Sequence, residues 1–598
     1  MNTLLRSIPT VLLLGCASDK AGQSSTPTTP TGHGADGADG AAGPDDSGSG
    51  ETGAPPDPRL ALQIAPPRHV ESGVFATPDL CADCHSNAAG ATAMRTADGT
   101  GVSPYDLQHG SMMANAARDP LFWAVLSAEL DAAPSLTAEV EATCLRCHAP
   151  MAVHQAALDG TTLPAAAELR QGTDSTTALG REGVSCTTCH RISPDGMGQP
   201  ETWSGLFEIE PSKAIFGPHA DPFTTPMENH TGFTPTEGSH MLESEVCASC
   251  HTLQTPTVSG DTPTGHTFLE QASYLEWQIS AFGPDGDTPR ACQSCHMPTA
   301  DAGGTAIETR IARNPGGSDF PIDPRQPFGQ HFQVGGNTFM LGILRDNADV
   351  LNPRADRATF DAAIARTQTM LGTAGGLSLS PPVRSGTSLS LAVTVTNDTG
   401  HKLPTAYPSR RAWLQLTVTD STGATVFASG QTDVAGRIVD TTGAPLGSEL
   451  AGGPVQPHRT QITDPTEVLI YQSLMADPEG APVFRLLNAA QMAKDNRILP
   501  RGWQPDRTLT PVGDLAPVGV DGDPDFVAGS DTVAVQLTDL GGSPPYIVDA
   551  ALVYQPVSPR YIAELALVDT PEVAAFLAMA ETARWTPEVV ASAQVTAD

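Results

Sequence analysis

Lysine is nearly missing from this chain of 598 residues: only Lys20, Lys213, Lys402 and Lys494 occur, against 67 acidic side chains and a formal charge of −35. No Lys-rich patch can form, and such acidity argues against nucleic acid as a partner, because phosphate binding needs clustered Lys and Arg. Aromatic residues make up 5% and charged residues 17%. No apolar run approaches the ~20 residues that a transmembrane helix needs, which argues against a multi-span membrane protein. Gly (57) and Pro (53) are abundant, implying long connections and modest regular structure. The length suits two or three domains and is ample for a sizeable core.

Eleven cysteines are present, and ten fall in five copies of one pattern: Cys81-Ala-Asp-Cys84-His85, Cys144-Leu-Arg-Cys147-His148, Cys186-Thr-Thr-Cys189-His190, Cys247-Ala-Ser-Cys250-His251 and Cys292-Gln-Ser-Cys295-His296. Chance would supply on the order of 0.005 such pentapeptides at this composition, so the repetition is selected. Two thiols one helical turn apart form thioethers to haem vinyl groups, and the adjacent His reaches the iron as proximal ligand. Disulfides would not require a His after every second Cys. Zinc sites built from Cys pairs need ligands in fours without that fixed His. The pattern therefore predicts five covalently bound haem c groups.

The eleventh cysteine belongs to the N-terminus. Arg6, the apolar run Val11–Leu14 and Gly15-Cys16 make an export signal too short to remain as a membrane helix. Leu13-Leu14-Gly15-Cys16 resembles a bacterial lipobox, which implies lipidation of Cys16. Ala17 after the cysteine points by the same resemblance to the outer membrane, at its periplasmic face or at the cell surface. Export agrees with c-type haems, which are attached outside the cytoplasm in bacteria.

Four regions follow. Residues 1–15 read as a lipoprotein signal peptide. Residues 16–66, almost bare of large apolar side chains, read as a disordered tether. Residues 67–375 read as a pentahaem domain, mainly α-helical and irregular, wrapped around its porphyrins. Helical spacing is visible over Pro120–Leu130 and Phe268–Ile279, and 193–240 reads as irregular. Residues 376–598 read as an all-β, immunoglobulin-like sandwich. Ser388–Thr396, Ala412–Thr419, Thr425–Ala428, Asp531–Leu537 and Tyr546–Tyr554 carry the strand alternation. Short helices are expected over Pro571–Met579 and Pro587–Ala593.

Sixteen histidines leave a surplus once five are proximal. His33 lies in the tether. Of the ten others, the contexts of His109, His219, His240, His331 and His401 suit distal ligands, which predicts bis-His ligation at most irons. His331 has nearby glycines that permit close approach to a porphyrin, and His401 lies in a loop between two strands. His154 suits a haem other than its neighbour's. His69, His230, His266 and His458 suit surface or hydrogen-bonded roles. Met112, Met151, Met241, Met297 and Met340 suit packing.

Cys292-Gln-Ser-Cys-His-Met-Pro298 preceded by Tyr274-Leu-Glu-Trp-Gln-Ile-Ser280 resembles the multihaem cytochrome c class that contains cytochrome c554, hydroxylamine oxidoreductase and pentahaem nitrite reductase. Ser244–Leu253 and Thr399–Pro408 are similar to segments of exported multihaem cytochromes with a C-terminal β-domain. The resemblance covers roughly residues 80 to 560 and is strongest at the haem motifs. It implies redox function, but no enzymatic activity carries over: the chain has no Cys-x-x-Cys-Lys motif, and Tyr274 cannot be assigned the crosslinked-tyrosine role. No catalytic residue is therefore named.

The leading expectation is extracytoplasmic electron transfer between redox partner proteins, with the membrane reached through the lipid anchor. The alternative is an oxidoreductase acting on a small nitrogen or sulfur compound at one open haem. Arg410-Arg411 beside His401 could line such a site, although a structural ion pair suits them better.

Overall fold

Alternating apolar residues and proline-started helices account for most of the regular structure in a computed structural model that describes residues 56–260, 262–504 and 515–598. The expected signal peptide, Cys16 and the tether up to residue 55 lie outside the described residues.

Proline opens many of the helices, where its missing N–H costs nothing. Asp119 caps Pro120–Ala132, Ser103 caps Pro104–Gln108 and Thr570 caps Pro571–Glu581, each side chain accepting a first-turn N–H. The five Cys-x-x-Cys-His motifs sit on Pro78–His85, Thr137–His148, Cys186–Cys189, Glu245–His251 and Cys292–His296. Each is a short helix or the end of one, so every pair of thiols is one turn apart.

Trp123, Leu126, Phe339, Leu344 and Phe360 form one apolar core with Leu565, Phe576 and Met579. The C-terminal helices Pro559–Leu565 and Pro571–Glu581 thus bury their apolar faces against helices from the first 375 residues. Among the described residues no helix is long and apolar enough to cross a membrane.

Past residue 375 two sheets face one another. One runs in the order Gln461–Ile462, Ser530–Leu537, Ser388–Asn397, Gly375–Leu379, with Val383–Ser385 also on Ser388–Asn397. The other runs Pro482–Val483, Ile470–Ala476, Arg411–Thr419, Tyr546–Gln555, Glu588–Ala597. Gln491–Asp495 joins it on Ile470–Ala476, and Thr425–Ser429 on Arg411–Thr419. Pairing is antiparallel except between Gln461–Ile462 and Ala534–Val535. Leu389, Leu391, Val393 and Val395 from the first sheet share a core with Leu414, Leu416, Val418 and Val548 from the second. Each such side chain contributes about 1.5–3 kcal/mol on burial.

Four expectations are corrected. Pro58–Leu62, expected in the tether, is a short helical turn, and Leu62 and Ile64 enter the apolar core. Glu588–Ala597 is a strand paired with Tyr546–Gln555, not a helix. Its Val589, Val590, Val595 and Thr596 are β-branched, and Val590 enters the sandwich core. The apolar spacing of Phe268–Ile279 is divided between strand Thr262–Gln271 and helix Ser273–Gln278. A short parallel pair, Ala214–Gly217 on Thr234–Glu237, interrupts the irregular stretch.

Arg411 and Glu449 form a bidentate pair at 2.6 and 2.9 Å with almost no exposure. Gln555 Oε1 and the Gly436 carbonyl accept further Arg411 protons, and Glu449 Oε2 accepts the Ile438 N–H. Every polar group here has a partner, so removing one strands the other. Glu449→Ala is expected to cost about 3–5 kcal/mol, read from urea unfolding; a loss below about 1 kcal/mol, the range of exposed pairs, would refute a desolvated pair.

Candidate haem-binding site

Four of the five motif histidines share one local device. The Nδ1–H of His85 donates to the Ile311 carbonyl (3.0 Å), that of His148 to Ala116 (3.1 Å), that of His190 to Phe216 (2.5 Å) and that of His296 to Val334 (2.6 Å). A carbonyl only accepts, so the proton must lie on Nδ1 and the Nε2 lone pair is left over. Burial holds all four imidazoles below the usual histidine range, His148 at about 4, which keeps that lone pair free near neutral pH. This is how metal-ligating histidines are oriented. Phe122 stacks on the His148 ring, centroids 3.6 Å apart and planes 5° apart, which fixes its rotation.

Two of the expected distal histidines face a proximal one. The His190 and His331 ring centres are 6.2 Å apart, those of His296 and His401 are 6.4 Å apart, and both interplanar angles are 23°. His331 and His401 also tie Nδ1–H to carbonyls, those of Gly329 and Lys402, both at 3.0 Å. Two metal–nitrogen bonds of about 2 Å between two imidazoles put ring centres about 6 Å apart. The donor set and its spacing fit an iron between each pair.

The other expected ligands are placed less directly. His109 is half-buried beside Tyr105, donates Nδ1–H to the Tyr105 carbonyl at 2.6 Å and is not paired with a proximal ring. His219 is half-buried in a turn that Arg325 holds through the Ala220 and Asp221 carbonyls, also unpaired with a proximal ring. His240 is likewise not paired with a proximal ring. It is buried, but its Nε2 lies 3.2 Å from the Ile192 carbonyl and its other edge packs on Gly238. The close approach that Gly238 allows turns this imidazole onto main chain. His69 is hydrogen-bonded to Asp79 and Glu71, and His230 to Asp83.

The thiols of different motifs meet. Cys81 is in hydrogen-bonding contact with Cys186, Cys147 with Cys250, and Cys247 with Cys292, while Cys189 neighbours both Cys247 and Cys250. The motifs therefore adjoin in the order first, third, fourth, and the fourth also touches the second and the fifth.

Sequence reasoning missed the frame around His401. Lys402 Nζ lies 2.6 Å from Asp495 Oδ2, both fully buried, and Arg497 grips Asp495 with two 2.7 Å bonds. Arg497 also reaches Glu276 Oε1 at 3.0 Å. Glu276 Oε2 accepts the Lys402 N–H at 3.1 Å and the Thr405 hydroxyl at 2.5 Å. Burial alone would raise the Asp495 carboxyl, yet Arg497 and Lys402 hold it far below the usual carboxylate range. The available signal was Lys402 itself, one of four lysines, directly after His401.

Among the described residues, His458, Asp523 and Asp531 have metal-ligand spacing. Asn496 decides against a metal at His458. Its Oδ1 accepts the Gln472 N–H and its Nδ2 donates to the Ile470 carbonyl, so Nδ2 must also donate to His458 Nδ1. The histidine proton is then on Nε2, donated to Asp523 at 2.8 Å. Arg411 is in its ion pair with Glu449, and Tyr274 bonds Glu245 and Gln278 inside an apolar cluster.

A penta-heme cytochrome c552 from Thermochromatium tepidum has a solved structure similar to this one, at a TM-score of 0.49 and 17% identity, over 88% of this chain and 100% of that chain. A similarity of that size transfers no residue role. No family model matches the chain, and no curated protein does.

Asp495→Asn leaves Lys402 and Arg497 buried without their shared counter-charge, an expected loss of about 3–5 kcal/mol at pH 7 by urea unfolding. A carboxyl held below its ordinary value stabilises fully above its unfolded pKa of about 3.9 and loses that contribution as pH falls toward the folded one. The gap between parent and variant should therefore narrow below about pH 4; a gap independent of pH would sink the electrostatic account.

Proposed function

We propose that this chain is a multihaem c-type cytochrome that passes electrons through five covalently bound haem c groups. The observation that carries the reading is the pair of facing imidazoles, His190 with His331 and His296 with His401, each ring anchored through Nδ1. A bound haem iron with both axial positions filled supplies a one-electron Fe(III)/Fe(II) couple and no place for a substrate. The protein's part is to hold the thioether cysteines Cys81, Cys84, Cys144, Cys147, Cys186, Cys189, Cys247, Cys250, Cys292 and Cys295, and to fix each imidazole. His85, His148, His190, His251 and His296 are the proximal ligands. His331 and His401 are distal, and His109 and His219 serve other irons. The sandwich, immunoglobulin-like in this reading, contributes its interstrand loop as an axial arm. Contact between motifs supports a branched relay in which the fourth motif joins three neighbours. Lipidated Cys16 anchors the exported protein to the outer membrane, and the acidic surface suits a basic redox partner.

Pyridine haemochrome analysis and intact mass of the purified protein should give five haems per chain; fewer would overturn the reading. His331→Ala and His401→Ala should each convert one haem from low-spin to high-spin in EPR with the haem count unchanged, and no change would remove these ligands. A parent protein with about one high-spin haem in five would instead favour oxidoreductase chemistry at an open iron.

A further inference from the structure

His154 lies on helix Pro150–Asp159, which follows the second motif after a break at Ala149. Its ring sits between Phe207, 4.8 Å away at 45°, and Phe75, 6.4 Å away at 49°. Its Nε2 is buried and has no hydrogen-bond partner. A structural histidine in such a place is expected to bond through both ring nitrogens, because an unpartnered polar atom loses its water without compensation. His458, tied by Asn496 and Asp523, illustrates that outcome. His154 instead presents a free nitrogen from an aromatic-walled position.

The surroundings of that nitrogen belong to the haem-motif region. One turn back on the same helix, Met151 Sδ lies 3.3 Å from the hydroxyl oxygen of Thr187, inside the third motif. That hydroxyl also donates to the carbonyl of Ala76, next to Phe75 and two residues before the helix of the first motif. Phe207 follows Gly205, where any side chain would collide with Arg146 and crowd Cys147 Sγ of the second motif. The segments that carry Phe75, Phe207 and Met151 thus each adjoin a different motif. His190 and His296 are already faced by His331 and His401, which leaves the irons of His85, His148 and His251.

We infer that His154 is a distal axial ligand, its Nε2 binding the iron of one of these three haems. The inference rests on the multihaem reading and adds a residue to it. Met151, three residues earlier, turns its sulfur instead toward the hydroxyls of Ser185 and Thr187.

The test uses the full holoprotein. Haem count by pyridine haemochrome comes first: fewer than five haems in the parent refutes the reading itself, while five leaves it standing and isolates the inference. His154→Ala should then keep five haems, lose one low-spin ferric EPR signal and gain a high-spin signal of about one haem in five, and added imidazole should restore the low-spin signal. His154→Met should stay low-spin, show the near-infrared charge-transfer band of His/Met ligation in magnetic circular dichroism, and raise the potential of one haem. Spectra and potentials matching the parent in either folded variant would overturn the assignment. If the alanine variant fails to fold, the methionine variant decides.

Discussion

A chain of buried charges, Glu276–Arg497–Asp495–Lys402, fixes the loop that carries His401, and through it the relation of the sheets to the fifth motif. Glu276 comes from helix Ser273–Gln278, ahead of that motif, while Asp495 and Arg497 lie at the end of a strand of the second sheet. Lys402 sits between them and also lies over the Trp503 ring. Burying two cations and two carboxylates gains little net stability over apolar residues of the same size. What it supplies is position, since Asp495 and Glu276 hold the loop from two sides, at the Lys402 ammonium and at its N–H. An imidazole beside Lys402 therefore stands at one distance from His296 with little freedom to drift.

The same logic sets how the sheets and the motif region hold together. The C-terminal helices Pro559–Leu565 and Pro571–Glu581 return to bury Leu565, Phe576 and Met579 against Trp123 and Phe360. Tyr407, in the His401 loop, shares a 2.5 Å hydroxyl–hydroxyl bond with Tyr561 on the first of those helices. The sheets thus act on the motif region in two places, at the imidazole that faces His296 and at its core.

Much of this was legible in the sequence, and the limits have physical reasons. The five motifs announce themselves because thioether chemistry fixes both spacing and residue type. Ser388–Asn397 and Tyr546–Gln555 were readable because one face is buried and the alternation is strict. Glu588–Ala597 was not, because alanines dilute its pattern and it lies at the sheet edge, with four of its ten residues exposed. Phe268 and Leu269 were assigned to a helix because two short apolar stretches, one extended and one helical, abut at Ala272. The facing of two histidine rings is invisible locally: His331 is 141 positions from His190, and only the fold brings them together. His240 turns its Nε2 toward the Ile192 carbonyl, a contact that no spacing rule reveals.

The scarcity of lysine has a structural counterpart. Of 32 basic residues, 28 are arginine. Long irregular stretches leave main-chain carbonyls without helix or sheet partners, and these need donors. A guanidinium offers five in a rigid fork, an ammonium three on a flexible stem. Arg313 shows the use: it donates to the carbonyls of Ala82, Asp83, Ser86 and Asn314, closing the exposed end of the first motif helix. Arg181 bonds Leu169 and Gly172, Arg560 bonds Gly453 and Pro454, and Arg95 bonds Ala88, Ala91 and Gly99. The cations thus turned inward leave the acidic groups to set the sign of the surface. A chain that must wrap bulky groups with loops, and still satisfy its backbone, acquires a negative exterior from the way it solves the interior.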